Sequence, residues 1–409
     1  MKSHERLVIF LLAAINFTHI LDFMIMMPLG NYLMPYFSIS PMQFSVLVGA
    51  YTLTAAFSGF IAAFFVDSYD RKKVLIYAFI GFLLGTIACG LSPTFGLLMA
   101  SRVLAGLFGG LIGAQVFSII SDIFVYGRRG AAMGAVMSSF AIASTFGVPF
   151  ALYLANAISW HAPFLLVGIL GFVLVPLLQK YIPEMKDHVS SEAPSSKIKI
   201  IKEVIHNPHQ VYALIFSFLI MMGHFLIIPL VNPFLEFNKG IPKSNTPFVY
   251  LVGGLSALAA SFVFGKLADR IGKVPVFSYS VLACVVLVGI ITQLPDVPFG
   301  ITLLFFGLWF AFATGRAVTA QAMLSNVPEQ AQRGSFMSFN SSVQQLGTSA
   351  ASFVAGLLVI KASDGRLVGF NWVGYVSMAI LLISLAMGRW LFGGEGESIK
   401  KPSYQASSN

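Results

Sequence analysis

Charge is scarce in this sequence. Asp, Glu, Lys and Arg together supply 10% of its 409 residues while 57% are hydrophobic, a balance outside the range of soluble domains. The longest polar stretch lies around 183–208, which leaves no room for an attached catalytic or nucleic-acid-binding domain. Cysteine is nearly absent. Cys89 and Cys284 each lie inside an apolar run, so neither a disulfide framework nor a metal cluster is signalled. No phosphate-binding glycine loop, metal-ligand spacing or nucleophile with a base falls on a polar segment, which argues against ATP-driven pumping, enzymatic activity and a bound cofactor. The first apolar run also lacks a small-residue cleavage pattern. It continues from Leu7 past Asp22 to Met34 and is read as a retained span.

What the sequence has is long apolar runs. A membrane-crossing helix needs about 20 apolar residues. Runs of that size fall near 7–34, 43–66, 74–91, 95–121, 131–155 and 162–182, then near 210–235, 247–265, 274–294, 299–325, 335–360 and 371–392. The expected fold is all-α and membrane-embedded, with twelve transmembrane helices in two bundles of six. The first bundle is expected to occupy 1–182 and the second 209–393. They flank an interdomain loop at 183–208, whose segment Lys197–Ile205 reads as a surface-lying amphipathic helix, and a tail follows at 394–409.

The positions of the 25 Lys and Arg set an expected topology. With the N-terminus inside, only Lys239, Lys243, Lys361 and Arg366 fall outside, and Arg102 and Arg316 fall within spans. Both termini, the long loop and the tail are therefore expected in the cytoplasm. The net charge of +9 then faces anionic lipid headgroups, and no nucleic-acid partner is needed to explain it.

The two halves echo each other. Asp67-Ser-Tyr-Asp-Arg71-Lys72-Lys closes the second span, and Gly265-Lys-Leu-Ala-Asp269-Arg270-Ile-Gly-Lys273 closes the eighth, Asp to Asp 202 residues later. Arg129-Gly-Ala-Ala-Met133 opens span five, and Arg333-Gly-Ser-Phe-Met337 opens span eleven, 204 residues on. Parallel repeats of this kind place a binding site between the halves near the bilayer midplane.

The run at 265–273 resembles the signature loop of the major facilitator superfamily, and the resemblance extends over the whole chain. It implies the major facilitator fold, transport by alternating access, and a charged cytoplasmic latch drawn from Asp67, Arg71, Lys72, Asp269, Arg270 and Lys273. The first copy departs from the motif at Ala63 and Asp70, where glycine is preferred. Arg102-Val-Leu-Ala-Gly106 on span four is similar to the Arg-x-x-x-Gly element associated with proton coupling in efflux members, with Ala105 in place of a polar residue. Ser144-Thr-Phe-Gly147-Val-Pro149 on span five resembles the antiporter kink. Followed by Trp160, it looks most like the drug and sugar efflux branch that includes arabinose-type exporters. Leu152 and Tyr153 replace the glycines expected there, and a plain proline kink explains Gly147 and Pro149 equally well.

Asp22 is the acidic residue lying well inside an expected span, with Asn16 and His19 on the same helix. It reads either as a proton carrier tuned by Arg102, with His19 assisting, or as half of a static pair with Arg102. Asn16, Gln115, His224, Asn232, Gln321, Asn340 and Gln344 are cavity candidates or ordinary interhelical hydrogen bonders. Arg316 reads as an anchor for an anionic substrate group or as a partner for Asp22. The expected function is proton-coupled export of a small organic molecule by a monomer in a bacterial inner membrane. A symporter or facilitator importing a sugar or organic anion, and a non-transporting sensor or scaffold, are the alternatives.

Overall fold

The computed structural model describes residues 3–65, 69–124, 126–185, 206–328 and 333–393. Helix α1 runs Ser3–Met26, passes through a 3-10 turn at Met27–Leu29 and resumes at Gly30–Phe37. Pro28 sits in that turn and has no N–H to give to the helical ladder. Helices α2 (Pro41–Phe65), α3 (Arg71–Gly90) and α4 (Phe95–Ile123) follow. Helix α5 runs Tyr126–Ile142, widens into a π turn at Ala143–Gly147 just ahead of Pro149, and continues Val148–Ala157. Helix α6 (His161–Tyr181) completes the first half.

The second half repeats the pattern. Helix α7 is broken like α1, Pro208–Phe225 then Ile228–Phe237, with Pro229 at the break. Helices α8 (Thr246–Ile271), α9 (Lys273–Thr292), α10 (Phe299–Leu324), α11 (Arg333–Leu358) and α12 (Phe370–Phe392) follow. A two-stranded hairpin, β1 (Ile360–Lys361) and β2 (Leu367–Val368), joins α11 to α12.

Among the described residues, eleven helices are long and apolar enough to cross a membrane. Helix α11 is the twelfth. Its 26 residues suffice to cross, at about 1.5 Å per residue, but Asn340, Gln344, Thr348 and Ser349 dilute its apolar character. It tolerates them because it packs along α2 on one side and α7 on the other, so these groups meet protein. The expected spans match the helices to within a few residues, except that α8 runs on to Ile271 and α5 begins at Tyr126. The expected surface helix at 197–205 and the tail at 394–409 lie outside the described residues.

The halves meet along two seams related by pseudo-symmetry, α2 against α11 and α5 against α8. Small residues allow the approach. Ser349 Oγ donates to the Gly49 carbonyl at 3.0 Å, and a Cβ on Gly254 would lie 2.4 Å from Thr145 Cα. The face opposite the termini, called the far side below, is closed by further ties between halves. Asn31 Nδ2 donates to Glu236 Oε2 at 2.5 Å, and Asn232 Nδ2 donates to the Pro28 carbonyl at 2.7 Å, which occupies an acceptor freed by the broken ladder. The hairpin is pinned over this face because Asn238 exchanges two hydrogen bonds with Leu367, at 2.8 and 2.9 Å.

The four cations expected on this face all have partners. Lys239 reaches Asp296 at 2.8 Å and holds that exposed carboxyl below its ordinary value through the hydrogen bond and the charge. Lys243 lies 3.6 Å from Glu236, Arg366 lies 3.8 Å from Asp364, and Lys361 stands over the Phe237 ring at 5.1 Å.

Candidate functional site

A buried ion pair stands in the middle of the first half. Arg102 Nη1 donates to Asp22 Oδ2 at 2.8 Å, with the side chains 1% and 0% exposed. Four helices build the site. Helix α1 supplies Asp22, α4 supplies Arg102, and α2 places the Tyr51 ring 4.3 Å from the guanidinium carbon, a cation–π contact in a dry setting. Helix α3 brings the Thr86 hydroxyl to Asp22 and the Cys89 thiol to Arg102. Glycines set the spacing. A Cβ on Gly106 would lie 2.2 Å from Thr54 Oγ1, and one on Gly109 would lie 2.6 Å from the Tyr51 hydroxyl.

The pair is incompletely satisfied. Asp22 Oδ1, Arg102 Nε, the Tyr51 hydroxyl and both ring nitrogens of His19 are buried without a hydrogen-bond partner. His19 packs against Tyr51 and Phe82, with ring centroids 6.3 and 5.6 Å away. Unpaired buried polar atoms are costly, and a cluster of them around an ion pair is a local charge arrangement that a proton would change. The kink of α5 bears on the same place, since a Cβ on Gly147 would lie 2.7 Å from Leu21 Cδ1, beside Asp22.

A second cluster lies in the other half. Arg316 on α10 is 2% exposed and has His224 of α7 and Cys284 of α9 within electrostatic reach. It does not pair with Asp22, whose cation is Arg102. A ladder of rings spans the seam between the clusters. Tyr51 stacks on Phe23 at 5.7 Å, Phe23 meets Phe225 at 6.0 Å, and Phe225 meets the His224 ring at 5.2 Å.

The remaining candidates divide. Asn16 donates to the Val136 carbonyl at 3.2 Å, and Gln344 donates to Ser217 Oγ at 3.1 Å, so both tie helices within one half. Asn232 ties the two halves. Gln115 and Asn340 are buried, each with its side-chain carbonyl oxygen unpartnered, and Gln321 is half-buried.

The two expected latch loops differ. Asp67 lies outside the described residues. In that loop Asp70, where the motif prefers glycine, caps α3 by accepting from the Lys72 backbone N–H at 3.0 Å and from that of Met185 at 3.2 Å. Arg71 pairs with Asp122 at the end of α4, at 2.7 Å. Asp269 and Arg270 are exposed in the last turn of α8, Lys273 opens α9 across Gly272, and none of the three pairs with a described residue.

Neither the role of Tyr51 nor the Asn31–Glu236 tie was legible in the sequence. Tyr51 is one aromatic among many, and Glu236 falls just past the expected end of its span.

Residues 12–318 match the Major Facilitator Superfamily. The chain belongs to that superfamily. It is similar to the MFS-type transporter YceJ of Bacillus subtilis, 23% identical over 358 residues that cover 87% of this chain and 90% of the relative. A shorter match, 21% identical over 227 residues, covers 55% of this chain and 56% of the putative transporter AraJ of Escherichia coli. Among solved structures, an inward-facing, unoccupied bacterial homolog of the human lysosomal transporter Spinster superposes with a TM-score of 0.73 at 16% identity, covering 98% of this chain and 100% of that one. The nucleoside transporter NupG superposes with a TM-score of 0.74 at 13% identity, covering 94% and 100%. This superfamily member is thus a multi-pass membrane transporter built for alternating access, and not an enzyme.

Proposed function

We propose that this transporter is a proton-coupled exporter of a small organic molecule, with Asp22 as the proton-carrying group and Arg102 as its conformational partner. The observation that carries the reading is the 2.8 Å ion pair with both side chains withdrawn from solvent and one carboxylate oxygen unsatisfied. A buried ion pair is weak support for stability, because desolvating two charges offsets their attraction. It is well suited to a switch. Protonating Asp22 removes the charge that holds Arg102, frees the guanidinium and loosens α1 from α4, the movement that alternating access requires. His19, one turn away on α1, is the assisting group.

The Lys and Arg distribution supports termini in the cytoplasm of a bacterial inner membrane, so the tied far side faces outward. With that side closed, substrate would enter between the halves from the cytoplasm, as an exporter needs. The partial Gly147 and Pro149 element favours the same direction. The halves at 1–182 and 209–393 rock as units about the seams, with Asp67, Arg71, Lys72, Asp269, Arg270 and Lys273 closing the cytoplasmic side in the opposite state. The monomer holds all these parts.

The test is vesicle transport under an imposed pH gradient. Wild type should concentrate substrate against its gradient, and Asp22→Asn should exchange substrate for substrate without responding to pH. A variant that still couples to the gradient overturns the assignment of Asp22. A gene deletion that starves cells of an external nutrient replaces export with import.

A further inference from the structure

Among the described residues, the second half holds a charge with nothing to balance it. Arg316 is 2% exposed, its Nε lacks a partner, and no carboxylate among the described residues pairs with it. The buried arginine of the first half is different, since Arg102 has Asp22. The stretch of α7 before its break, Pro208–Phe225, carries no acid, whereas the stretch of α1 before its break carries Asp22.

The groups within electrostatic reach of Arg316, His224 and Cys284, carry no fixed negative charge. His224 Nδ1 is buried without a partner, and so is Ser280 Oγ, which stands one turn from Cys284 on α9 and 2.8 Å from where a Cβ on Gly315 would be. The guanidinium is the fixed donor, and the Ser280 hydroxyl and one tautomer of His224 can donate as well, so an anion satisfies the guanidinium where a cation does not. The neighbouring wall is apolar. The His224 ring lies 5.3 Å from that of Trp309, and Trp309 lines a small pocket with Val231, Tyr250, Phe306 and Phe310. An anion held at Arg316 with its body toward His224 and Trp309 would meet rings rather than polar groups.

Position matters too. Arg102 lies about two turns into α4, whereas Arg316 lies nearly five turns into α10, which puts it roughly 15 Å closer to the termini side along the helix axis. An anion entering from that side reaches Arg316 first. The ring ladder through Phe225, Phe23 and Tyr51 then connects its seat to the Asp22–Arg102 pair.

The geometry points to Arg316 as the anchor of the substrate site, and to a singly charged organic acid with an aromatic or otherwise apolar body as the molecule carried. This rests on reading the chain as a carrier but not on which residue moves the proton. Asp22 and the anion site act in different halves, so binding and coupling separate in experiment.

Purified, detergent-solubilised full-length protein tests it without a gradient. Naphthaleneacetate should raise the melting temperature in a saturable way, and the isosteric neutral alcohol, naphthaleneethanol, should bind at least tenfold more weakly. Arg316→Gln should lose that preference while its ligand-free melting temperature stays level or rises, because an unpaired buried cation has been removed; a merely structural arginine would give the reverse. Asp22→Asn should keep the preference for the acid. Equal binding of acid and alcohol, no binding of the acid, or an unchanged preference in Arg316→Gln overturns the proposal. The acid-against-alcohol comparison in wild type decides the question even if Arg316→Gln does not fold. A protein that binds the acid through Arg316 but whose Asp22→Asn variant still couples to pH keeps the anion site and loses the proton assignment.

Discussion

Asn31 and Glu236, 205 positions apart in the chain, share a 2.5 Å hydrogen bond that joins the resumed part of α1 to the resumed part of α7. Both helices break at a proline, and the short segments beyond the breaks cross the seam to form the far-side closure. Glu236 also has Lys243 at 3.6 Å, and Lys243 lies over the Tyr32 ring at 4.6 Å, so one carboxylate gathers three groups from both halves.

Glu236→Gln should therefore bias the protein toward opening on this side. A hydrogen bond to a charged group contributes about 1.5–3 kcal/mol, and since Glu236 is 22% exposed the lower part of that range applies. That corresponds to roughly a tenfold change in the ratio of the two states. Spin labels at Tyr36 and Lys239, one in each half, should show a larger population at long distance in the variant. An unchanged distance distribution shows that the tie does not set the equilibrium.

The Asp22–Arg102 pair predicts a non-additive pattern of stability. Arg102→Gln leaves a buried carboxylate without its cation and should destabilise by about 3–5 kcal/mol, whereas the double variant Asp22→Asn/Arg102→Gln should recover much of that loss. Thermal unfolding in one detergent checks it. A double variant as unstable as the sum of the two singles means that the charges do not interact.

Helix spacing at the pair is set by glycine. Gly106→Ala would put a methyl 2.2 Å from Thr54 Oγ1 and 2.4 Å from the Tyr51 carbonyl, forcing α2 away from α4. Overpacking of this kind costs about 1–3 kcal/mol. It should also lower transport, because the Tyr51 ring is drawn off Arg102. By contrast Gly113→Ala, where nothing lies within 4 Å, should leave both unchanged.

If the cargo is a monovalent anion exchanged for one proton, two charge equivalents move in the same direction in each cycle. A potential of 100 mV then contributes about 4.6 kcal/mol, twice the value for one charge. Substrate jumps on vesicles adsorbed to a capacitive membrane should give currents whose sign matches outward movement of negative charge. Electroneutral exchange would fit one proton exchanged for a cation.

Topology is accessible to labelling because both native cysteines, Cys89 and Cys284, are buried. A cysteine at Asp364 in the hairpin should react with an impermeant reagent in intact cells, and one at Lys266, near the termini-side end of α8, only after permeabilisation. The opposite result inverts the orientation and, with it, the proposed direction of export.

The fold class and the count of spans were legible in the amino-acid sequence alone. An apolar run of helical length can satisfy its backbone in lipid only as a helix, and scarce charge marks the ends of each run. The sequence also singled out Asp22, Arg102 and Arg316, because a charge inside a span is too costly to be incidental. Only the tertiary structure decided which charge meets which. Asp22 and Arg102 lie 80 positions apart, and a lone sequence permits a pair with either arginine; the packing of α1 against α4 chose Arg102 and left Arg316 without a carboxylate among the described residues. Tyr51, Asn31 and Glu236 were illegible for the same reason. Their roles come from which helix faces touch across the two seams, and that is fixed by glycines and proline breaks acting together over the whole chain.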